Sequence, residues 1–398
     1  MVQLKKVLFL IFSTLLSVAE VSAAHSTEAQ AVLNVLGSIY GHKVVSSAMA
    51  NVNWNITEAQ NVYSWTGKYP AMNTFDFIHA PYSKDVNKSG WIDYSDITVV
   101  NDWWQQGGLV SCMWHWLQPN KSGDGLTYAS SETDFDPSDI IHPASAGYTK
   151  MMADMEQIAG YLKQMKDLGI PVVWRPLHEG AGNTNNYPGG TAWFWWGSKG
   201  ATVYKQLWRH MYDYFTNTKG LDNLIWVWNG GINDDSWYPG DEYVDIVGID
   251  YYGNDLSYLT TIYNHLKTTF AGKMVALTEC GDYGSDKLPS LQSMWTAGCK
   301  WMWAMPWYDN NYNTADSPQP SSHDYYTWYM DAMLLDYVVD RNTMKTMLDA
   351  ALTGIEEPKR EAVNSSNYYD LRGQCFSLPP AHGLYIHKGK KIIVTKNK

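Results

Sequence analysis

Gly169-Ile170-Pro171-Val172-Val173-Trp174-Arg175-Pro176-Leu177-His178-Glu179 is the stretch whose reading decides the fold. Glycine and proline two residues apart stop a helix. Val172, Val173 and Trp174 then run apolar without alternation, as strands do when both faces are covered. Upstream, residues 148–168 place Met152, Met155, Ile158, Leu162 and Met165 at spacings of three and four, which predicts a helix with one buried face. A helix, a stop, a buried strand and a charged strand end together make one unit of an α/β fold.

Working outward, apolar runs of the same kind occur at 43–49, 71–78, 109–116, 171–178, 223–228, 244–251, 274–279 and 300–307. Helical patterns lie between them, for example at 202–215 and 256–270. Eight such alternations predict an α/β fold of the (β/α)₈ TIM barrel type. A doubly wound open sheet is the second alternative, but it usually carries a glycine-rich phosphate loop after its first strand, and none is present. With 45% hydrophobic and 17% charged residues, the 398-residue chain can bury a large core, which excludes general disorder. Lys and Arg number 29 against 40 Asp and Glu, so no basic excess exists to neutralise a nucleic acid. The 20 Trp and 28 Tyr suit stacking on sugar rings as well as core packing.

The ends of the chain differ from the middle. Residues 1–23 read as a secretory signal: Lys5 and Lys6 precede a short apolar run, and Val21-Ser22-Ala23 is a small-x-small cleavage site. No other run reaches the length of a membrane span, so none is expected. Residues 24–358 hold 19 Lys/Arg against 37 Asp/Glu and form the expected catalytic domain. Residues 359–398 hold eight against two and begin with the linker-like Asn364-Ser365-Ser366-Asn367. The stretches 368–374 and 383–394 then alternate like short strands, predicting a small C-terminal β appendage. This tail resembles the sorting signal of type IX secretion substrates, through Tyr368-Asp370-Leu371-Gly373 and Gly383-Tyr385-Ile386-Gly389-Lys390-Lys391. Secretion to the cell surface, periplasm or medium is therefore expected. Cys112, Cys280, Cys299 and Cys375 show no metal-type spacing and are expected to be mostly buried free thiols.

In barrels of this type, chemistry sits at the C-terminal strand ends. Those ends carry His115 on strand three, His178 and Glu179 on four, Asn229 on five, Asp250 and Tyr252 on six, Glu279 on seven, and Trp303 and Trp307 on eight. Two carboxylates on strands four and seven face each other across the mouth. Paired carboxylates among aromatic rings suit glycoside hydrolysis, with one protonated as acid and the other ionised as nucleophile. No metal-ligand triplet, cofactor fingerprint or Ser-His-Asp order stands out, so no cofactor is expected.

These residues resemble glycoside hydrolase family 26, chiefly its β-mannanases. The resemblance rests on Trp174-Arg175-Pro176-Leu177-His178-Glu179, Trp193-Phe194-Trp195-Trp196-Gly197, the 244–252 strand and Thr278-Glu279-Cys280-Gly281, in family order. It implies Glu179 as acid/base and Glu279 as nucleophile. It also implies that His178 and Tyr252 hydrogen-bond Glu279, that His115 and Asp250 contact the reacting sugar, that Trp193 stacks on the leaving-group side, and that Trp303 floors the reacting ring. Asn229 receives no role. Two departures bear on the substrate: the loop 180–190 is longer than in many members, and Ala304 stands where many mannanases have Arg.

The resemblance implies a secreted endo-β-1,4-mannanase, expected as a monomer, with mannans as its polysaccharide partner. The alternatives are a mixed-linkage β-glucanase or β-1,3-xylanase of the same family, and a noncatalytic glycan-binding protein. Residues 85–96 have EF-hand-like spacing, but Ser89 and Asp96 at positions 5 and 12 weaken it. The favoured reading is a turn capping a helix that starts near Tyr94.

Overall fold

The computed structural model describes residues 25–51, 54–283, 286–308 and 325–353, and four short strands of the tail. The leader read at residues 1–23 lies outside them. Eight parallel strands are arranged in sequence order: β1 (Val44–Met49), β2 (Met72–Asp76), β3 (Leu109–Trp114), β4 (Val172–Pro176), β5 (Leu224–Asn229), β6 (Ile246–Tyr252), β7 (Met274–Gly281) and β8 (Trp303–Pro306). β8 pairs with β1 through Val45–Trp303 and Ser46–Ala304, which closes the sheet into a (β/α)₈ TIM barrel. All eight strands lie where the apolar runs predict them, shortened by one to three residues at some ends and extended by one or two at the C-terminal ends of β5, β6 and β7.

Strand residues are apolar in both phases because both faces are buried. Val172 and Trp174 face the outer core under the helices, whereas Val173 belongs to the inner cluster. That inner cluster is rich in sulfur: Met49, Met72, Met113, Met302 and Met305 fill it, with Trp303 among them. Thioether side chains adapt to irregular gaps inside a small barrel. Helix α1 (Thr27–Ile39) adds Val32, Leu36 and Ile39 to the same cluster, so it plugs the end opposite the chemistry.

Helix α2 (Thr57–Thr66) joins β1 to β2, and α3 (Thr98–Gln105) joins β2 to β3. Helix α4 (Ala146–Asp167) buries Met151, Met155, Ile158, Leu162 and Met165, and the Ser145 hydroxyl caps it by accepting from the Tyr148 amide at 3.0 Å. Gly169 follows at φ +69°, the left-handed exit that glycine favours. Helix α5 (Gly200–Tyr212) widens into a π turn over Asp213–Thr218. Helices α6 (Leu256–Thr269) and α7 (Leu291–Thr296) follow β6 and β7. The alternation fails once: between β5 and β6 the chain makes two 3₁₀ turns, Asp235–Trp237 and Asp241–Tyr243. Gly230, Gly231, Pro239 and Gly240 leave too little uninterrupted chain for a helix there.

The 85–96 segment is a turn whose oxygens do not converge. Asp85 accepts from Tyr161 of α4, Asn87 from the Ser89 amide, Asp93 from the Ser95 amide and Asp96 from the Thr98 amide. These local bonds delay the next helix to Thr98, four residues later than expected. Cys112, Cys280 and Cys299 are buried free thiols, as expected. No helix among the described residues is long and apolar enough to cross a membrane. The contacts divide the chain after Leu352, and the second unit begins at Thr353. That unit holds an antiparallel sheet in the order Cys375–Phe376, Tyr368–Tyr369, Gly383–His387, Lys390–Val394, matching the alternation read in the tail.

Gly248 in β6 sits against β7, and a Cβ there would lie 2.4 Å from Thr278 Cγ2. Threonine is stiff at χ1 and has little room to give. Gly248→Ala is therefore expected to destabilise the barrel by about 1–3 kcal/mol, read as a lowered midpoint in denaturant unfolding; an unchanged midpoint would contradict this packing.

Candidate active site

Glu179 and Glu279 leave the ends of β4 and β7 and approach each other with Asp250 of β6. One oxygen from each of the three carboxylates lies within 4.8 Å of the others. The register makes this possible. Ile249 pairs with Leu277 and Asp250 with Glu279, so Thr278 is an extra residue in β7. This bulge lets two consecutive residues, Thr278 and Glu279, both serve the mouth.

Arg175, the penultimate residue of β4, is 3% exposed. Its Nη1 donates to Asp250 Oδ2 at 2.9 Å, and its Nη2 donates to Glu279 Oε1 and contacts Met113 Sδ. Tyr252 donates to the other Glu279 oxygen at 2.8 Å. Asp250 Oδ1 accepts from Thr278 Oγ1 at 2.7 Å, and Thr278 Oγ1 accepts from Asn229 Nδ2 at 2.9 Å. Asn229 Oδ1 then accepts from the Glu179 amide at 2.8 Å. A continuous chain of bonds therefore runs from the Glu279 carboxylate to the backbone amide of Glu179. The cluster has the oxygens of a hard-cation site, but a guanidinium bonded to two of its three carboxylates already supplies the positive charge.

The backbone entering the site is strained. Leu177 and Glu179 have φ of +48° and +50° and are the non-glycine residues in the left-handed region among those described. Buried side chains hold three backbone groups of this turn. Tyr204 donates to the Leu177 carbonyl, Trp196 Nε1 to the His178 carbonyl, and Asn229 accepts from the Glu179 amide. Trp195 Nε1 ties the same layer to the Trp116 carbonyl at 2.6 Å. Such strain costs on the order of 1–3 kcal/mol per residue and persists where the surroundings over-determine it.

The other predicted residues fall as follows. His115 Nδ1 donates to Asp76 Oδ2 at 2.6 Å, and its amide donates to Asp76 Oδ1, so Nε2 is the nitrogen left for a ligand. Trp193 is 44% exposed and lines a cavity of about 140 Å³ beside Glu179, with Asn186, Ile232, Asp234 and Tyr258. The long loop reaches across this cavity, where Asn185 donates to the Asn233 carbonyl at 2.9 Å. Two expectations, for His178 and Trp303, need correcting. His178 makes no hydrogen bond to Glu279; its ring packs on His115, Phe194 and Trp196, and its Nδ1 is buried without a partner. Asp250 accepts from Arg175 and Thr278 and lines the same cavity as Glu179 and Trp193. Trp303 is buried in the barrel interior and offers no face to the mouth. Four residues on, Trp307 is half-buried with its ring 6.1 Å from that of His115.

Arg175 and Asp76 had no assigned role in the sequence. Arg175 belongs to the Trp174–Glu179 motif, and an arginine on the inward phase of a buried strand is itself a signal, since it requires buried carboxylates. Asp76 ends β2 as Asp250 lies near the end of β6, inside an apolar run whose predicted end lies two residues further on.

Burial and the charge of Asp250 push Glu279 up to about 7, against the pull of Arg175. Glu179 goes further, well above the usual carboxylate range, through burial and then the charges of Asp250 and Glu279. Two carboxylate charges within 4.8 Å repel by at least about 3 kcal/mol at an effective dielectric near 20. That is roughly two pK units, so the pair holds one proton over a wide pH range. Arg175 and Tyr252 donate to Glu279 and favour its charged form, leaving the proton on Glu179. Activity requiring this state should fall at low pH as Glu279 protonates and at high pH as Glu179 ionises. Tyr252→Phe removes a donor to the charged form of Glu279, so its pKa should rise. The acid limb of kcat/KM should then move up by about one pH unit; a downward or absent shift would contradict the assignment.

Residues 21–331 match the profile of glycosyl hydrolase family 26. A mannan endo-1,4-β-mannosidase of Thermothelomyces thermophilus is 34% identical over 300 residues, covering 73% of this chain and 57% of that protein. Mannan endo-1,4-β-mannosidase B of a Piromyces species is 31% identical over 352 residues, covering 83% and 54%. This chain thus spans little more than half the length of those relatives. The structure resembles the GH26 domain of an endo-β-mannanase/endo-β-glucanase from Prevotella bryantii, with TM-score 0.73, 38% identity, and 81% and 98% of the two chains covered. It also resembles a GH26-CBM35 β-(1,4)-mannanase from Podospora anserina, with TM-score 0.66, 32% identity and coverage of 81% and 68%. With that profile spanning most of its length and its two carboxylates ending strands four and seven of a closed barrel, the chain belongs to glycosyl hydrolase family 26.

Proposed function

We propose that the chain is a secreted, endo-acting β-1,4-mannanase that hydrolyses mannan, glucomannan or galactomannan with retention of anomeric configuration. The observation that carries this reading is the approach of Glu179 and Glu279 to within 4.8 Å. A separation of about 5 Å suits a covalent intermediate, whereas inverting enzymes need about 6.5–9.5 Å to admit a water. The substrate named for the relatives supports mannan. Export is supported by the leader-like residues 1–23 and by the likeness of residues 359–398 to a sorting tail.

In the first step, Glu179 gives its proton to the glycosidic oxygen while the Glu279 carboxylate attacks the sugar C1. The bond to the leaving chain breaks and an ester to Glu279 forms. Arg175 and Tyr252 orient Glu279 and hold it ionised until then. Glu179, now ionised, takes a proton from water as that water attacks C1, and the ester breaks to regenerate both carboxyl groups. Asp76 sets the His115 tautomer so that Nε2 faces the reacting ring. Trp307 takes the floor position in place of Trp303, and exposed Trp193 stacks on the leaving-group side.

Reducing sugar should be released from galactomannan in preference to lichenan; the reverse preference would favour the mixed-linkage glucanase reading. Glu279→Ala should lose nearly all activity while keeping polymer binding. Glu179→Ala should lose about 10²–10⁴-fold on polysaccharide, but much less on an aryl glycoside whose leaving group needs no protonation. Equal loss on both substrates would contradict the assigned roles.

A further inference from the structure

Asn229, the last residue of β5, is buried and bonded on both sides of its amide. Oδ1 accepts from the Glu179 amide at 2.8 Å, and Nδ2 donates to Thr278 Oγ1 at 2.9 Å. These partners allow one orientation. An N–H cannot face an N–H, so the Glu179 amide takes Oδ1, and Nδ2 turns to Thr278. Thr278 then gives its own proton to Asp250 Oδ1 at 2.7 Å. Reaching Thr278 means crossing β6, since β5 and β7 are not neighbours in the sheet. The β6 residue paired with Asn229 is Gly248, and a Cβ there would lie 2.4 Å from Thr278 Cγ2 and 2.9 Å from its hydroxyl. The bulge at Thr278 and the bare backbone at Gly248 together bring the β7 hydroxyl within reach of β5.

Asn229 holds one end of the peptide plane that enters Glu179. The carbonyl of that plane belongs to His178 and accepts from Trp196 Nε1 at 2.9 Å; its N–H belongs to Glu179 and donates to Asn229. Both ends of a single peptide group are thus gripped by buried side chains. Rotation of this plane changes the φ of Glu179, which stands at +50°, a region that is costly for a residue with a Cβ and that relaxes once its supports are removed. Glu279 does not share this support, because Arg175 and Tyr252 hold its carboxylate.

We propose that Asn229 is a positioning residue for the acid/base: by locking the 178–179 peptide it aims the Glu179 carboxyl at the glycosidic oxygen, and Thr278 anchors it to the strand that carries the nucleophile. The separation of the two carboxylates is then set jointly by β4, β5 and β7. Misdirecting the acid leaves attack by Glu279 intact, so the mark of this role is a loss confined to bonds whose cleavage needs a proton. The inference rests on Glu179 being the acid/base, as proposed above.

The test uses the full chain and its Asn229→Ala, Thr278→Val and Glu179→Ala variants. Their kcat/KM is measured on polysaccharide and on aryl β-1,4-linked manno- or gluco-triosides, whichever series the wild type cleaves, with leaving groups from dinitrophenol to unsubstituted phenol. Asn229→Ala should lower kcat/KM on polysaccharide about 10–100-fold, lose least on the dinitrophenyl substrate, and so depend more steeply on leaving-group pKa. Thr278→Val keeps the acceptor for the Glu179 amide and the branched shape beside Gly248, and should show the same split at about 2–10-fold. Equal loss at every leaving group in Asn229→Ala, or no loss, would overturn the positioning role. Should that variant fail to fold, Thr278→Val decides, and a slope like that of the wild type would overturn it. Glu179→Ala separates this role from the reading beneath it. Equal loss there at every leaving group would sink the acid/base assignment and the positioning role with it, whereas a split in Glu179→Ala without one in Asn229→Ala would sink the positioning role alone.

Discussion

A single guanidinium shares the mouth of the barrel with three carboxylates, and the chemistry of the site depends on that imbalance. With Asp250 and Glu279 ionised against Arg175, the cluster already carries a net negative charge in a poorly hydrated place. Ionising Glu179 as well would add a further unpaired buried charge, costing several kcal/mol. The cheaper state keeps a proton on Glu179, and the donors are arranged so that it does not move to Glu279. Arg175 and Tyr252 both point at Glu279, while the amide of Glu179 is held by neutral Asn229. Two chemically identical side chains are thereby given opposite roles by their neighbours.

Holding that geometry requires a large aromatic scaffold. Glu179 leaves its strand through a turn with two left-handed non-glycine residues, and the ring N–H and O–H groups of Trp196 and Tyr204 fix it from below. The Trp-Phe-Trp-Trp stretch therefore divides its labour. Trp195 and Trp196 are fully buried and structural, while Trp193 stays exposed beside the cavity. The long loop that separates the turn from this stretch is tied by Asn185 to the loop after β5, so the connection that lacks a helix still frames the cavity beside Glu179.

The fold was legible in the sequence because each barrel strand is buried on both faces and so reads as a dense apolar run, and because helix stops such as Gly169-Ile170-Pro171 mark the joints. The two facing carboxylates were legible for a related reason: an acidic residue at the end of such a run has nowhere to be but the mouth. Interactions between strands were not legible. Sequence spacing does not reveal that β7 carries a bulge at Thr278, that Arg175 reaches two other strands, or that Asp76 rather than a sugar takes both the amide and Nδ1–H of His115. Trp303 and Trp307 looked equivalent because two aromatics an even number of positions apart share a phase. The barrel interior covers the first, and the second emerges at the rim. His178 was expected at Glu279, but the positive-φ turn around it packs its ring against His115 and Phe194 instead.

The division of roles between the two carboxylates is tested most directly by trapping the intermediate. Incubation with a 2-deoxy-2-fluoro mannoside bearing an activated leaving group slows hydrolysis of the glycosyl ester more than its formation, and peptide mapping by mass spectrometry then locates the adduct. The account predicts one glycosyl unit on the peptide carrying Glu279, and none on the peptide carrying Glu179. An adduct on Glu179, or turnover without any adduct and with release of the inverted anomer, would contradict it.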